Sequence, residues 1–286
     1  MNKQITLVEC PRDAMQGWST FIPTETKVEY LNKLLQVGFD VLDFGSFVSP
    51  KAIPQMADTK DVVPQLKMDG VNTKLLAIIA NTRGAQDAVA YDEITYLGFP
   101  FSISETFQLR NTNKTIAESL AQVEEIQNLC AQNNKELVVY ISMGFGNPYG
   151  DEYNAEVAIK WVDKLAQLGI KTIAMADTVG VAQPDNIKYI FDSLVPEFKD
   201  VHIGAHFHST VDKWEEKIQS AYDSGCVRFD SAMKGIGGCP MAEDELVGNI
   251  ATENIVGWTE RNNIPLQLNK EAFSEAMQMA TSIFAH

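Results

Sequence analysis

Along most of this chain, short apolar runs alternate with segments whose apolar positions recur every three or four residues. The runs are Ile5 to Cys10, Val41 to Phe47, Lys74 to Ala80, Glu93 to Phe99, Leu137 to Met143, Thr172 to Asp177, Val201 to His208 and Cys226 to Met233. Each has the length and the content of a buried parallel strand. Between them lie helix patterns with readable ends: Thr24 to Val37 stops at Gly38, Asn154 to Leu168 at Gly169 and Asp212 to Ser224 at Gly225, while Thr115 to Gln132 fills a further gap. Glycine just past the last periodic residue ends a helix because it adopts the left-handed backbone without a steric penalty. Eight strands in this cadence predict an α/β chain folded as a single (β/α)8 TIM barrel, an architecture of about 250 residues. Additional C-terminal helices are expected over about 243–286, as Glu243 to Gly257 and Lys270 to Phe284. No linker or composition break divides 1–286, so one domain is expected. A doubly wound open sheet satisfies the same alternation, because periodicity does not by itself close a sheet.

In a barrel the chemistry belongs at the carboxyl ends of the strands. The polar residues that follow the runs there are Arg12 and Asp13, Asp43 and Ser46, Asn81, Ser104 and Glu105, Ser142, Asp177 and Thr178, and His206 and His208, with a turn from Gly235 to Cys239. His206 and His208 are the most informative. Two residues apart on a strand, they share a face and converge on one point. The chain has only four histidines, and His202 and His286 lie outside this spacing. Asp13 and Asn249 are candidate oxygen donors to join the imidazoles. Carboxylate, amide oxygen, two imidazoles and water make a shell that favours Mg²⁺ or Mn²⁺ over a closed structural zinc, acting as a Lewis acid on adjacent substrate oxygens.

Three further residues carry two readings each. Arg12, beside Asp13, is suited to stabilise an enolate or carboxylate oxygen, or is half of an ordinary exposed pair. Asp177 either joins the chemistry or caps the next helix. Cys239, in Lys234-Gly-Ile-Gly-Gly-Cys-Pro240, is either a small apolar residue in a flexible loop or a thiol brought to the reacting carbon as acid or base.

Charge and composition then narrow the partners. A net charge of −15 argues against nucleic acid, which demands a basic surface. No apolar run reaches the roughly 18 residues of a membrane span. The N-terminal Met-Asn-Lys-Gln-Ile-Thr leads straight into the first strand and leaves no room for a signal peptide. Cys10, Cys130, Cys226 and Cys239 show no paired spacing, which suits a reducing compartment. A cytoplasmic protein without a membrane partner is expected.

Several of these segments match one family. Val8-Glu-Cys-Pro-Arg-Asp-Ala-Met-Gln16 resembles the first-strand motif of 3-hydroxy-3-methylglutaryl-CoA lyases, and Ser46-Phe-Val-Ser-Pro-Lys-Ala-Ile-Pro-Gln-Met56 is similar to their second-strand motif. Ala176-Asp-Thr-Val-Gly180, His206-Phe-His208, Gly235-Ile-Gly-Gly-Cys-Pro240 and Gly248-Asn-Ile-Ala-Thr-Glu253 resemble the remaining signatures in the same order. The second-strand run and the Gly-Gly-Cys-Pro loop separate these lyases from the isopropylmalate and citramalate synthases on the same barrel. The resemblance implies a divalent cation held by Asp13, His206, His208 and Asn249, with catalytic roles at Arg12, Asp13, Asp43, Asp177, His206 and Cys239. It implies a metal-dependent carbon–carbon lyase with an acyl-CoA substrate. In such a lyase the tertiary hydroxyl loses its proton to a base, and the carbon–carbon bond breaks to give acetoacetate and the enolate of acetyl-CoA. Arg12 would meet the enolate oxygen, and His206 or Cys239 would handle proton transfer.

The chain departs from the family where Asp43 replaces a glutamate, where Ser209-Thr-Val-Asp212 replaces Asp-Thr-Tyr-Gly, where Met143 and Asn147 replace cysteines, and where Ala14-Met15 replaces Gly-Leu. These changes spare the ligand set and bear on the substrate. A related lyase or Claisen-type synthase for another hydroxy acid, and a barrel that binds without turnover, are therefore the alternatives. Lys51, Arg83 and Arg110 are basic residues available to a CoA moiety, each also readable as solvated surface, and the C-terminal helices are where a homodimer would form.

Overall fold

The computed structural model describes residues 4–238 and 247–285. Eight parallel strands, β1 (Thr6–Glu9), β2 (Val41–Ser46), β3 (Lys74–Ile78), β4 (Ile94–Ser102), β5 (Glu136–Ser142), β6 (Thr172–Asp177), β7 (His202–Ser209) and β8 (Arg228–Ser231), pair in sequence order. β1 pairs with β8 as well as β2, with Val8 opposite both Asp230 and Val41, so the sheet closes on itself. The closed barrel excludes the open-sheet alternative.

Helices cover the outside for reasons visible in the sequence. In the helix Ala155–Gln167, buried Ala158, Val162 and Leu165 form a stripe four and three residues apart, and Asn154 caps its start by accepting from the Val157 N–H. Thr115 and Glu118 form a reciprocal capping box on Ile116–Gln132. Gly38 ends Thr24–Val37 with φ of 86°, the left-handed conformation its position predicts. Strand residues of odd number, such as Phe99, Phe101, Phe207 and Phe229, are buried between barrel and helices. The even positions Val8, Val138, Tyr140 and Ala174 join Val41 and Leu76 in a separate apolar cluster inside the barrel.

The tail differs from expectation at its first element. The sequence pattern predicts a helix from Glu243 to Gly257, but the described part begins with a short strand, β9 (Gly248–Asn249), and the helix runs from Thr252 to Arg261. β9 lies antiparallel on β7, with Asn249 opposite His208. Residues 243–246 lie outside the described residues. The final helix, Lys270–Ile283, forms as expected, and its buried Ala272, Ala276 and Ala280 face inward while the helix packs on Thr24–Val37. That small-residue stripe is therefore covered within the chain rather than offered to a second copy.

Candidate active site

At the carboxyl end of the barrel, β1 turns directly into a short helix, Pro11–Gln16, with proline in its first turn where a missing N–H costs nothing. That turn delivers Arg12 and Asp13 to the mouth, both buried. β7 supplies His206 and His208 on one face, with ring centroids 5.2 Å apart. One ligand atom each from Asp13, His206 and His208 falls within 4.8 Å of the others. Asn249 completes the group: its Nδ2 donates to Asp13 Oδ2 at 2.6 Å and to the Ile236 carbonyl at 2.9 Å. With both amide hydrogens engaged, the remaining Asn249 function is its carbonyl oxygen. The glycine loop passes tightly over this corner. Gly237 has φ of 97°, and a Cβ there would stand 2.7 Å from Asn249 Nδ2 and from the Asp13 carbonyl oxygen.

The protonation states suit a cation. Burial pushes the Asp13 carboxyl up, but the Arg12 charge, the two imidazoles and the Asn249 amide outweigh it and hold its pKa at about 2. Burial, reinforced by His206, lowers His208 to about 4, so its ring is neutral near pH 7. His208 Nδ1 lies 3.0 Å from the Thr178 carbonyl, which can only accept, so Nδ1 carries the proton and Nε2 the lone pair. That Nε2 is buried and has no hydrogen-bond partner. His206 Nδ1 meets Asp230 Oδ2 at 3.3 Å, and Asp230 more than offsets the effect of burial, raising the His206 pKa. An ionised carboxylate, two imidazoles with free Nε2 atoms and an amide oxygen make a donor set that fits a hard divalent cation. A second trio, Cys10, His206 and Asp230, shares this corner. Burial drives the Cys10 thiol well above its ordinary pKa, so it stays protonated and is a poor ligand.

Arg12 is clamped from two sides. Its Nε contacts both Asp43 oxygens at 3.2 and 3.1 Å, its Nη2 donates to Asp43 Oδ2, and its Nη1 donates to Asp13 Oδ1 at 2.8 Å. Asp43 thus grips the guanidinium despite the methylene it lacks relative to glutamate. Burial raises the Asp43 pKa to about 6 even against the opposing Arg12 charge. One N–H on each terminal nitrogen of Arg12 is left for a substrate. The adjoining cavity, about 350 Å³, has Arg12, Asp13, His206 and His208 at its polar end and Ile53, Pro100 and Phe107 among its walls.

Other sequence candidates go elsewhere. Asp177 is not brought to the cluster. It is in register with outward-facing Phe207, accepts from the buried Lys217 ammonium at 2.7 Å, and orders the following loop through the Ala182 N–H at 3.1 Å. It does not cap the next helix either, since Gln183 and Asn186 form that capping box. Asn81 and Ser104 are helix caps, accepting from Gly84 N and Phe107 N. Cys239 lies outside the described residues. Lys51 and Arg83 are exposed, and Arg110 stacks on the Tyr149 ring at 4.8 Å. Where the family pattern has an acid, Ser209 donates to the Thr210 carbonyl, and Lys217 Nζ instead holds the His208 carbonyl at 2.9 Å. Sequence reasoning missed Asp230 and Lys217. Asp230 was detectable as an inward-parity acid in an apolar run, whereas Lys217 looked like any charge on a helix.

Known proteins with similar sequence and shape are consistent in kind. The hydroxymethylglutaryl-CoA lyase YngG of Bacillus subtilis is 32% identical over 275 residues, covering 96% of this chain and 91% of that one. The mitochondrial hydroxymethylglutaryl-CoA lyase of Bos taurus is 32% identical over 278 residues, 96% of this chain and 84% of its own length. Among solved structures, an HMG-CoA lyase from Acinetobacter baumannii in complex with coenzyme A and 3-methylmalate superposes with a TM-score of 0.91 at 31% identity, covering 99% of this chain and 92% of that one. The HMGL-like family matches residues 5–280, and the chain belongs to that family.

Proposed function

We propose that this chain is a divalent-metal-dependent carbon–carbon lyase that cleaves 3-hydroxy-3-methylglutaryl-CoA to acetyl-CoA and acetoacetate. Membership of the HMGL-like family and relatives of that activity across nearly the whole chain support the reaction. The observation that carries the site is the convergence of Asp13, His206 and His208 within 4.8 Å at the mouth of the barrel. Asp13, His206, His208 and Asn249 would hold Mg²⁺ or Mn²⁺. When bound, such a cation supplies Lewis acidity toward the substrate's hydroxyl and carbonyl oxygens.

The chain's own groups divide the remaining work. Arg12, fixed by Asp43 and Asp13, directs its two spare N–H donors into the cavity, where they stabilise negative charge arriving on the thioester oxygen as the bond breaks. Asp43 holds that guanidinium in place. His206, with Nδ1 toward Asp230 and Nε2 toward the cation, serves as a ligand with no lone pair to spare, so the hydroxyl proton is assigned to Cys239 as base. Return of a proton to the enolate carbon is assigned to Cys239, which follows directly on Gly237 and Gly238 in the chain. The apolar cavity wall of Ile53, Pro100 and Phe107 excludes water that would quench the enolate early. Lys51, one residue before cavity-lining Ala52, and Arg110, one before Asn111, are the cations assigned to the CoA phosphates. Asp177 enters as an anchor of the 177–182 loop, not as a group in contact with substrate. The described cysteines, Cys10, Cys130 and Cys226, are buried and free. No helix among the described residues is long and apolar enough to cross a membrane. The cytoplasm is the address this reading assigns.

The direct test is acetyl-CoA release from 3-hydroxy-3-methylglutaryl-CoA in the presence of Mg²⁺ or Mn²⁺. His208→Ala should abolish both turnover and Mn²⁺ binding, whereas Cys239→Ala should slow turnover and leave Mn²⁺ affinity unchanged. A folded protein that releases no acetyl-CoA from this substrate with either cation contradicts the proposal.

A further inference from the structure

Below the ligand cluster, the barrel lumen holds a second charged layer that the mechanism above does not use. Arg228 and Asp230 lie two residues apart on β8 and both point inward, 6% and 3% exposed. Asp230 stands between two cations or potential cations. Its Oδ2 meets His206 Nδ1 at 3.3 Å and its Oδ1 lies 3.7 Å from Arg228 Nη2, an ion pair rather than a hydrogen bond. β7 is shaped to admit this arginine. A Cβ on Gly204 would stand 2.8 Å from Arg228 Cδ and 3.0 Å from Cγ, so the stem crosses the lumen only because that position on β7 has no side chain. Two positions further along the same inward face of β7 is His206.

We propose that Arg228 is a positioning residue: through Asp230 it fixes the ring orientation and tautomer of His206, so that Nε2 is presented to the cation site. This rests on the assignment of His206 as a ligand under the proposed function. A carboxylate that accepts from Nδ1 keeps the proton on that nitrogen and the lone pair on Nε2. Buried alone, Asp230 would be an uncompensated charge; the guanidinium, 3.7 Å from Oδ1, compensates it on that side, while Oδ2 faces the imidazole. Arg228 does not itself line the cavity of about 350 Å³, and it remains charged at every accessible pH.

The test is Mn²⁺ titration of the whole protein, together with the imidazole tautomer of His206 read by ¹⁵N NMR in the metal-free state. Asp230→Asn should weaken Mn²⁺ affinity by about 10- to 100-fold and move the His206 ring from the Nδ1–H form to a mixture. Arg228→Met should weaken Mn²⁺ in the same direction and produce the same tautomer change, and Arg228→Lys should recover a large part of both. If Arg228→Met does not fold, Asp230→Asn and Arg228→Lys decide alone, with Arg228→Lys expected between Asp230→Asn and the unaltered protein. Mn²⁺ affinity within about twofold of the unaltered protein in Asp230→Asn or in a folded Arg228→Met, with His206 still in the Nδ1–H form, overturns this inference and leaves the proposed function standing. Failure of the unaltered protein to bind either Mn²⁺ or Mg²⁺ overturns the proposed function, and this inference with it.

Discussion

Arg12 shows how a single residue can be made rigid without being neutralised. Asp43 and Asp13 hold it on two edges, and their charges outweigh the cost of burial, so it remains a cation. A lysine cannot reproduce that forked grip. Arg12→Lys is therefore expected to lower kcat by about 10²- to 10³-fold in the acetyl-CoA assay, with Mn²⁺ affinity little changed. Asp43→Asn should act in the same direction but less, because the Asp13 contact survives. His206 and His208 are legible in the sequence, since a period of two places them on one face. Asp230 and Arg228 obey the same parity but sit in a run whose apolar neighbours dominate the reading. Asn81 and Ser104 show the reverse: they stand at the right height in the barrel yet are occupied with helix N-termini.

Among the elements, the junction of β1 with the tail has its own titration. Glu9 faces outward from β1, fully buried, and accepts from the Met233 N–H at 2.9 Å and from the Thr252 hydroxyl. Burial raises its pKa from 4.5 to about 8. Across that interval the folded chain keeps a proton that the unfolded chain releases, so this contribution is fully present below pH 4.5 and is lost as the pH climbs through about 8. Glu9→Gln should reduce the slope, most clearly between about pH 6 and pH 8, above the range in which Asp43 titrates: thermal midpoints that fall there in the unaltered protein should fall less in the variant. The barrel strands and most covering helices could be located from apolar runs and glycine stops. β9 could not, because two residues carry no periodicity and pair only where the edge of β7 receives them.

For the whole molecule, the tail helices pack directly on the barrel. Trp258 on the tail helix Thr252–Arg261 is fully buried, with its ring 5.3 Å from Tyr222 and 6.5 Å from Phe229 of β8. Trp258→Ala should cost about 3–5 kcal/mol in urea unfolding while keeping a single transition. Two separated transitions in the unaltered protein would divide the chain into domains, against the one-domain expectation. Closure of the barrel was not readable from alternation; it follows from β1 pairing with β8 at the far end of the sequence.

The Asn249 amide reaches Asp13 across 236 residues. On the proposed ligand set, a growing chain therefore carries Asp13 for 236 residues before Asn249 exists to join it. Until then Asp13 lacks its Asn249 partner, and a product truncated before Asn249 would lack one of the proposed ligands. With the proposed ligands, cation capture would report that translation has passed Asn249 and that the barrel has closed, so Mn²⁺ retention by stalled chains of increasing length would serve as a clock for folding.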